Sequence, residues 1–111
     1  MTPWPDWWTP YVSAFVTRVR SLTGMTRFQI SSWGRSVSHN KAVGGAAQSQ
    51  HLLWTAADLV PTGGESMARL EAVARASGFF GYVVNEGDHI HVQLYPASAL
   101  DPRLFRDVAQ A

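Results

Sequence analysis

Cysteine is absent from the 111 residues. That removes disulfides, thiolate metal ligands and thiol catalysis together, and leaves the redox compartment open. Lysine is almost absent too: eight of the nine cations are arginine, scattered along the chain, and Lys41 stands alone. With eight acidic residues the formal net charge is only +1, and no clustered basic stripe offers itself to nucleic acid, so no nucleic-acid partner is expected. No apolar run approaches membrane-spanning length, and no membrane partner is expected. The opening MTPWPDWWTP lacks both a basic n-region and an apolar h-region, so no secretory signal is predicted. A protein of this kind is made in the cytoplasm, and any work outside the cell needs a release route other than its own signal peptide. What remains is 46% hydrophobic and 15% charged, the balance of a compact globular chain. It is read as a single domain over residues 1–111, monomeric, with one core.

Thr9-Pro10 reads as a helix N-cap followed by proline at the first helical position. Tyr11, Val12, Phe15, Val16, Val19 and Leu22 then recur at helical spacing until Gly24. RFQISS (27–32) is a predicted short strand, and residues 33–50 read as loop, with a turn at Gly44-Gly45. A loop of that length in so small a domain points to function. TAADLV is a strand closed by Pro61. A second helix spans Glu65 to Ser77, with Met67, Leu70 and Val73 inward and Gly78 at its C′ position. FFGYVV (79–84) and HIHVQL (89–94) flank the turn NEGD as a hairpin, and the tail DPRLFRDVA is read as a last helical turn or two. The fold class is α+β: a small, mainly antiparallel sheet flanked by helices.

In HIHVQL, alternation puts His89, His91 and Gln93 on one face and Ile90, Val92 and Leu94 on the other. The apolar face belongs to a core, so two imidazoles share the opposite face. Upstream, SQHLLWTAADLV sets His51 seven residues before Asp58, a charge inside an apolar run. Such an aspartate needs a partner or a metal. Imidazole and carboxylate are zinc ligands, and a catalytic zinc keeps three protein ligands and one open position. The supply is His51, Asp58, His89 and His91, with Asp88 nearby and His39 apart; spacing alone leaves the choice among them open. A seven-residue separation fits one helical face but opposite faces of a strand, so His51 is expected in the loop and only the end of the segment extended.

VGGAAQSQHLLWTAADL resembles the S-x-H-x-x-G-x-A-x-D signature of the zinc D-Ala-D-Ala carboxypeptidase and L-Ala-D-Glu murein endopeptidase family, which has the Hedgehog/DD-peptidase fold. SSWGRSVSHN resembles that family's S-G-x-R-S…H-N segment, and DHIHV its D-H-x-H-V segment, so the likeness runs from about Gln29 to Leu94. The resemblance implies that one zinc ion is bound by His51, Asp58 and His91. It gives Asp88 the role of general base and places His89 beside the substrate. It assigns Arg35 to a substrate carboxylate or polarised carbonyl, a task suited to a planar fork of donors, and Ser49 to the substrate cleft. Trp54 stands where the signature has glycine, so the backbone there must tolerate a side chain, whose ring is expected to border the cleft. Trp33 stands where glycine often precedes the arginine motif.

The function implied is a zinc metallopeptidase acting on the stem peptides of peptidoglycan at the bacterial cell wall, as a D,D-carboxypeptidase or a murein endopeptidase. The small size and missing signal lean towards a phage lysin. The rival is a non-catalytic, zinc-stabilised cell-wall-binding module of the same fold. Plainer readings stand beside several residues: Asp88 as a turn residue of NEGD, Arg35 as a solvated surface cation, His39 and Asn40 as loop braces. Trp4, Trp7 and Trp8 are read as packing for the first helix in preference to a carbohydrate platform.

Overall fold

The computed structural model describes residues 2–44 and 49–96. The predicted turn at Gly44-Gly45 falls partly outside these residues, and the helical turn expected in DPRLFRDVA falls outside them altogether.

Among the described residues, four strands and three helices follow in the order α1 (Thr9–Leu22), β1 (Phe28–Trp33), α2 (Val37–Ala42), β2 (Ala56–Pro61), α3 (Met67–Ser77), β3 (Tyr82–Asn85) and β4 (Ile90–Gln93). One-turn 3-10 segments at Asp6–Trp8 and Gln50–Leu53 precede α1 and β2. The strands form one sheet in the order β1-β2-β4-β3, and every neighbouring pair is antiparallel. The α+β class read from the sequence is therefore the class observed.

One face of the sheet is the core. Ala57, Leu59, Val83, Ile90 and Val92 meet Phe15, Val19 and Leu22 of α1 and Leu70 and Ala74 of α3, all buried. Full burial of a large apolar side chain contributes roughly 1.5–3 kcal/mol, so this layer holds the sheet to its helices. The period of two then leaves Ala56, Asp58, His91 and Gln93 on the opposite face. A second buried cluster, Trp8, Val12, Leu52 and Leu53 with Trp4, Val16, Trp54 and Tyr95 around it, ties the lead-in of α1 to the Gln50–Leu53 turn. Trp8 Nε1 also donates to the Leu53 carbonyl at 2.9 Å. Packing thus accounts for Trp4 and Trp8, whereas Trp7 is exposed.

Several boundaries differ from those predicted. Thr9 does not cap α1: a 3-10 turn runs into the helix, Trp8 occupies the cap position, and the Thr9 hydroxyl accepts from Trp4 Nε1 instead. Residues 33–50 are not all loop. Ser36 accepts the His39 N–H and starts the six-residue α2, a local capping effect stronger than the surrounding loop-like composition. Phe79, Phe80 and Gly81 lie outside β3, because the Gly81 N–H is shared between the Gln93 and Leu94 carbonyls and the regular ladder begins only at Tyr82. Helix α3 does end on Gly78 in the left-handed conformation, φ 71°.

Trp54 has the one positive φ among the described non-glycine residues, 61°. That conformation explains why a glycine suits this position. The strain, about 1–2 kcal/mol for an L-residue, is held by packing. The indole lies over Gly34, where an added Cβ would come within 2.2 Å of the ring. Trp33 meets Trp54 edge-on with ring centroids 5.2 Å apart, and Trp33 Nε1 donates to the Trp54 carbonyl. Gly34→Ala is expected to destabilise the protein by roughly 2–4 kcal/mol through the clash and its own positive φ. In a double-mutant cycle Trp54→Gly should relieve most of the clash, leaving about 1–2 kcal/mol from φ. Additive denaturation energies would show that the two positions do not press on one another.

Candidate metal centre

Three elements bring the chemistry together. Pairing of β2 with β4 sets Asp58 directly opposite His91. The Gln50–Leu53 turn, started by Ser49 whose hydroxyl accepts the His51 N–H, delivers the third side chain. His51 Nε2 and His91 Nδ1 each stand 3.2 Å from Asp58 Oδ1, and one donor atom from each of the three residues lies within 4.8 Å of the other two. Ligand atoms of a tetrahedral zinc, with bonds of roughly 2.0–2.1 Å, stand about 3.3 Å apart. The donor set and its spacing fit that ion.

The surroundings orient these side chains. His91 Nε2 lies 2.7 Å from Gln93 Oε1, two residues along the same strand face, and Gln93 Nε2 donates to the Tyr95 carbonyl. Gln93 therefore holds the far nitrogen of His91 and leaves Nδ1 facing Asp58, the kind of outer support that metal-binding imidazoles use. The alternation in HIHVQL places Gln93 on that face, but its pairing with His91 needs the side-chain geometry. Arg35 Nη2 reaches Asp58 Oδ2 at 3.5 Å, Nη1 donates to Asn40 Oδ1, and the backbone N–H of Arg35 donates to the His51 carbonyl. Here Arg35 braces the carboxylate of a candidate ligand and is mostly buried, where the resemblance implies a clamp on substrate. Asn40 matches its expected bracing role, while Ser49 serves as the cap of the turn carrying His51. The Trp54 ring packs among Trp4, Trp33 and Gly34.

His89 precedes β4 and turns its Nε2 towards the group, 3.6 Å from Asp58 Oδ1. Asp88 Oδ1 sits 2.6 Å from the other ring nitrogen, Nδ1, and its side chain is 89% exposed. It touches His89 and is open to solvent. His39 lies exposed on α2, outside the group.

Electrostatics follow from burial. Burial alone would raise the Asp58 carboxyl, but hydrogen bonds from His51 and His91, with the charges of His51 and His89, hold it well below the usual carboxylate range. Burial lowers His51 below the ordinary imidazole value, and its contacts with Asp58 offset this only in part. Burial also acts to lower His91, but the bonds to Asp58 and Gln93 and the Asp58 charge outweigh it, so His91 is raised. The site in its metal-free state is a buried anion shared between two imidazoles of opposite tendency.

Residues 8–93 match the family model described as Peptidase M15, a span that covers His51, Asp58 and His91 and also Arg35, Asp88, His89 and Gln93. No curated protein and no solved structure matches the chain.

The two imidazoles give the metal-free protein a pH signature. His51, held low, binds a proton more readily in the unfolded chain, so its contribution makes stability rise with pH up to about 6.5. His91, held high, keeps its proton more readily when folded; its contribution is complete below about 6.5 and is lost as pH climbs through its raised value. Melting temperatures in chelator, from about pH 5 to 8.5, are expected to peak near the ordinary imidazole value. His91→Gln should remove the alkaline decline. A steady rise through the alkaline range in the unmutated protein would contradict this electrostatic picture.

Proposed function

The chain belongs to the peptidase M15 family, whose members are zinc-dependent peptidases, and from that premise we propose that it hydrolyses peptide bonds in the stem peptides of peptidoglycan. The observation that carries this reading is the set His51, Asp58 and His91, two imidazoles and a carboxylate at zinc-ligand spacing, where the Gln50–Leu53 turn meets the sheet face opposite the core. When bound, zinc supplies a Lewis acid for the scissile carbonyl and makes water nucleophilic near neutral pH.

The chain's own residues do the rest. Asp58 and His51 are anchored by the sheet and by the Trp8-based cluster, so the donor set is assembled before substrate arrives. Gln93 fixes the ring of His91, and Arg35 holds the second oxygen of Asp58. His89, with Nδ1 beside Asp88, presents Nε2 to the site, where a ring N–H donates to the oxygen that gains negative charge as water attacks. The proton released by that water goes to a carboxylate of the hairpin loop, the role the resemblance gives to Asp88, and then to the amine that leaves. The bond cut is the terminal D-Ala linkage in a D,D-carboxypeptidase or an internal stem-peptide bond in a murein endopeptidase, and a phage lysin, released into the wall or carried in a virion, is the setting we favour. With Arg35 committed to Asp58, nothing in the site demands a free terminal carboxylate, which favours an internal bond.

Mass spectrometry of purified muropeptides, incubated with zinc-loaded protein and with a chelator control, tests the proposal. A chelator-sensitive mass change is expected, and the fragments identify the bond. His51→Ala and His91→Ala should lose zinc and turnover together. Arg35→Gln should weaken zinc roughly 10–100-fold if Arg35 braces a ligand; a rise in KM with unchanged zinc affinity would return it to the substrate. Zinc bound with no cleavage of any stem peptide would favour the non-catalytic wall-binding module.

A further inference from the structure

The group around Asp58 is walled on some sides and open on another. On the β1 side, Arg35 reaches Asp58 Oδ2, and its backbone N–H donates to the His51 carbonyl, which joins the segment after β1 to the Gln50–Leu53 turn. At the far end of β4, Gln50 and Gln93 both donate through Nε2 to the Tyr95 carbonyl and close that end. Side-chain exposure accordingly rises across the sheet, from 3% at His51 and 8% at Asp58 to 12% at His91 and 23% at His89. A molecule that reaches the group therefore comes over β3 and the hairpin.

On β3, Tyr82 stands opposite Gln93 and Val84 opposite His91. Residues directly opposite one another project to the same side, so Tyr82 and Val84 share the face that carries Asp58. The Tyr82 ring stands edge-on to the His91 ring, with centroids 6.3 Å apart. It is 48% exposed and belongs to neither buried cluster, and its hydroxyl has no hydrogen-bond partner among the described residues. The far nitrogen of His91 is already held by Gln93, so the site does not use that hydroxyl to orient its ligand. Val84, two residues along, is half-buried. The two side chains form an apolar shelf with one unused polar tip, beside a candidate metal ligand.

We infer that Tyr82 is a specificity-determining residue that binds the substrate: its ring, with Val84, receives an aliphatic side chain next to the scissile bond, and its hydroxyl donates to a carbonyl of the same peptide. This rests on the peptidase reading above and narrows it to peptides with an uncharged, alanine-like residue at that position. An alkyl group laid on a half-exposed ring removes apolar area of both from water. A phenol hydroxyl pairs with a peptide carbonyl without bringing a charge into the site. Arg35 is turned to Asp58 and Asn40, and the next ionisable side chain along β3 is Glu86, 3.9 Å from His89 Nε2. That row favours an aliphatic side chain over an acidic one.

Two readouts test the assignment on the full, zinc-loaded chain, with circular dichroism and zinc affinity measured for each variant. The first is calorimetric binding of two probes: the phosphinate analogue of alanyl-alanine, acetylated and amidated at its ends, and dimethylphosphinate, which lacks side chains and carbonyls. Tyr82→Ala is expected to weaken the capped phosphinate roughly 5–50-fold and Tyr82→Phe roughly 2–10-fold, with dimethylphosphinate and zinc affinity unchanged in both. The second is turnover of stem peptides, where Tyr82→Ala should act mainly by raising KM. Equal affinity of the capped phosphinate for the unmutated and Tyr82→Ala proteins would overturn the assignment. So would parallel loss of zinc and of both probes, which would make Tyr82 a support for His91 alone. Inertness of the unmutated zinc protein towards stem peptides would instead overturn the substrate reading, while the pair of phosphinates still decides on Tyr82.

Discussion

A carboxylate buried in the second strand of a small sheet is costly unless it is paired, by several kcal/mol for an ion left alone, and Asp58 is such a group. Its two oxygens are divided between partners: Oδ1 meets His51 and His91, and Oδ2 meets Arg35. Those partners come from the turn before β2, from β4 and from the segment after β1. The anion thus binds together parts of the chain that are far apart in sequence, and any loss of register among them leaves it unpaired. Without metal the arrangement holds through charge; the same carboxylate and imidazoles are also a zinc donor set.

Register is the means by which the sheet sets up this group. Asp58 opposes His91 because β2 and β4 are antiparallel with Ala57 opposite Val92, and burial of that neighbouring apolar pair fixes the alignment. A slip by one residue would turn Asp58 into the helix-covered core and Ala57 out, a change opposed by both hydrophobic burial and charge. The core and the chemistry are thus specified by the same alternation. His51 is outside that logic: it depends on the Ser49 cap and on Leu52 and Leu53 packing against Trp8 and Val12, so the aromatic lead-in to α1 contributes to the site without touching it.

Much of this was legible in the residues. The alternation of HIHVQL showed which side of β4 was apolar, and Asp58 within TAADLV stood out as a charge that required partners. The hairpin over NEGD and the glycine stop of α3 followed from turn and cap chemistry. What the sequence hid were choices made by tertiary contacts. Trp54 offers no sign of a left-handed backbone, because the strain is compensated by an indole lying on Gly34, twenty residues upstream. Ser36 starts a short helix inside a segment whose composition reads as loop. Phe79 and Phe80 look like strand residues, but the shared Gly81 N–H delays β3. Arg35 resembles a substrate clamp in sequence, and only the fold shows its guanidinium turned to Asp58 and Asn40.

The claim on which the rest depends is that His51, Asp58 and His91 hold one zinc ion. X-ray absorption at the zinc edge of the stoichiometrically loaded protein tests it most directly. The account requires nitrogen and oxygen neighbours at about 2.0–2.1 Å, with outer-shell scattering from two imidazoles that falls to one in His51→Ala or His91→Ala. Scattering from a single imidazole, or a spectrum unchanged by both substitutions, would place the metal elsewhere and contradict the account.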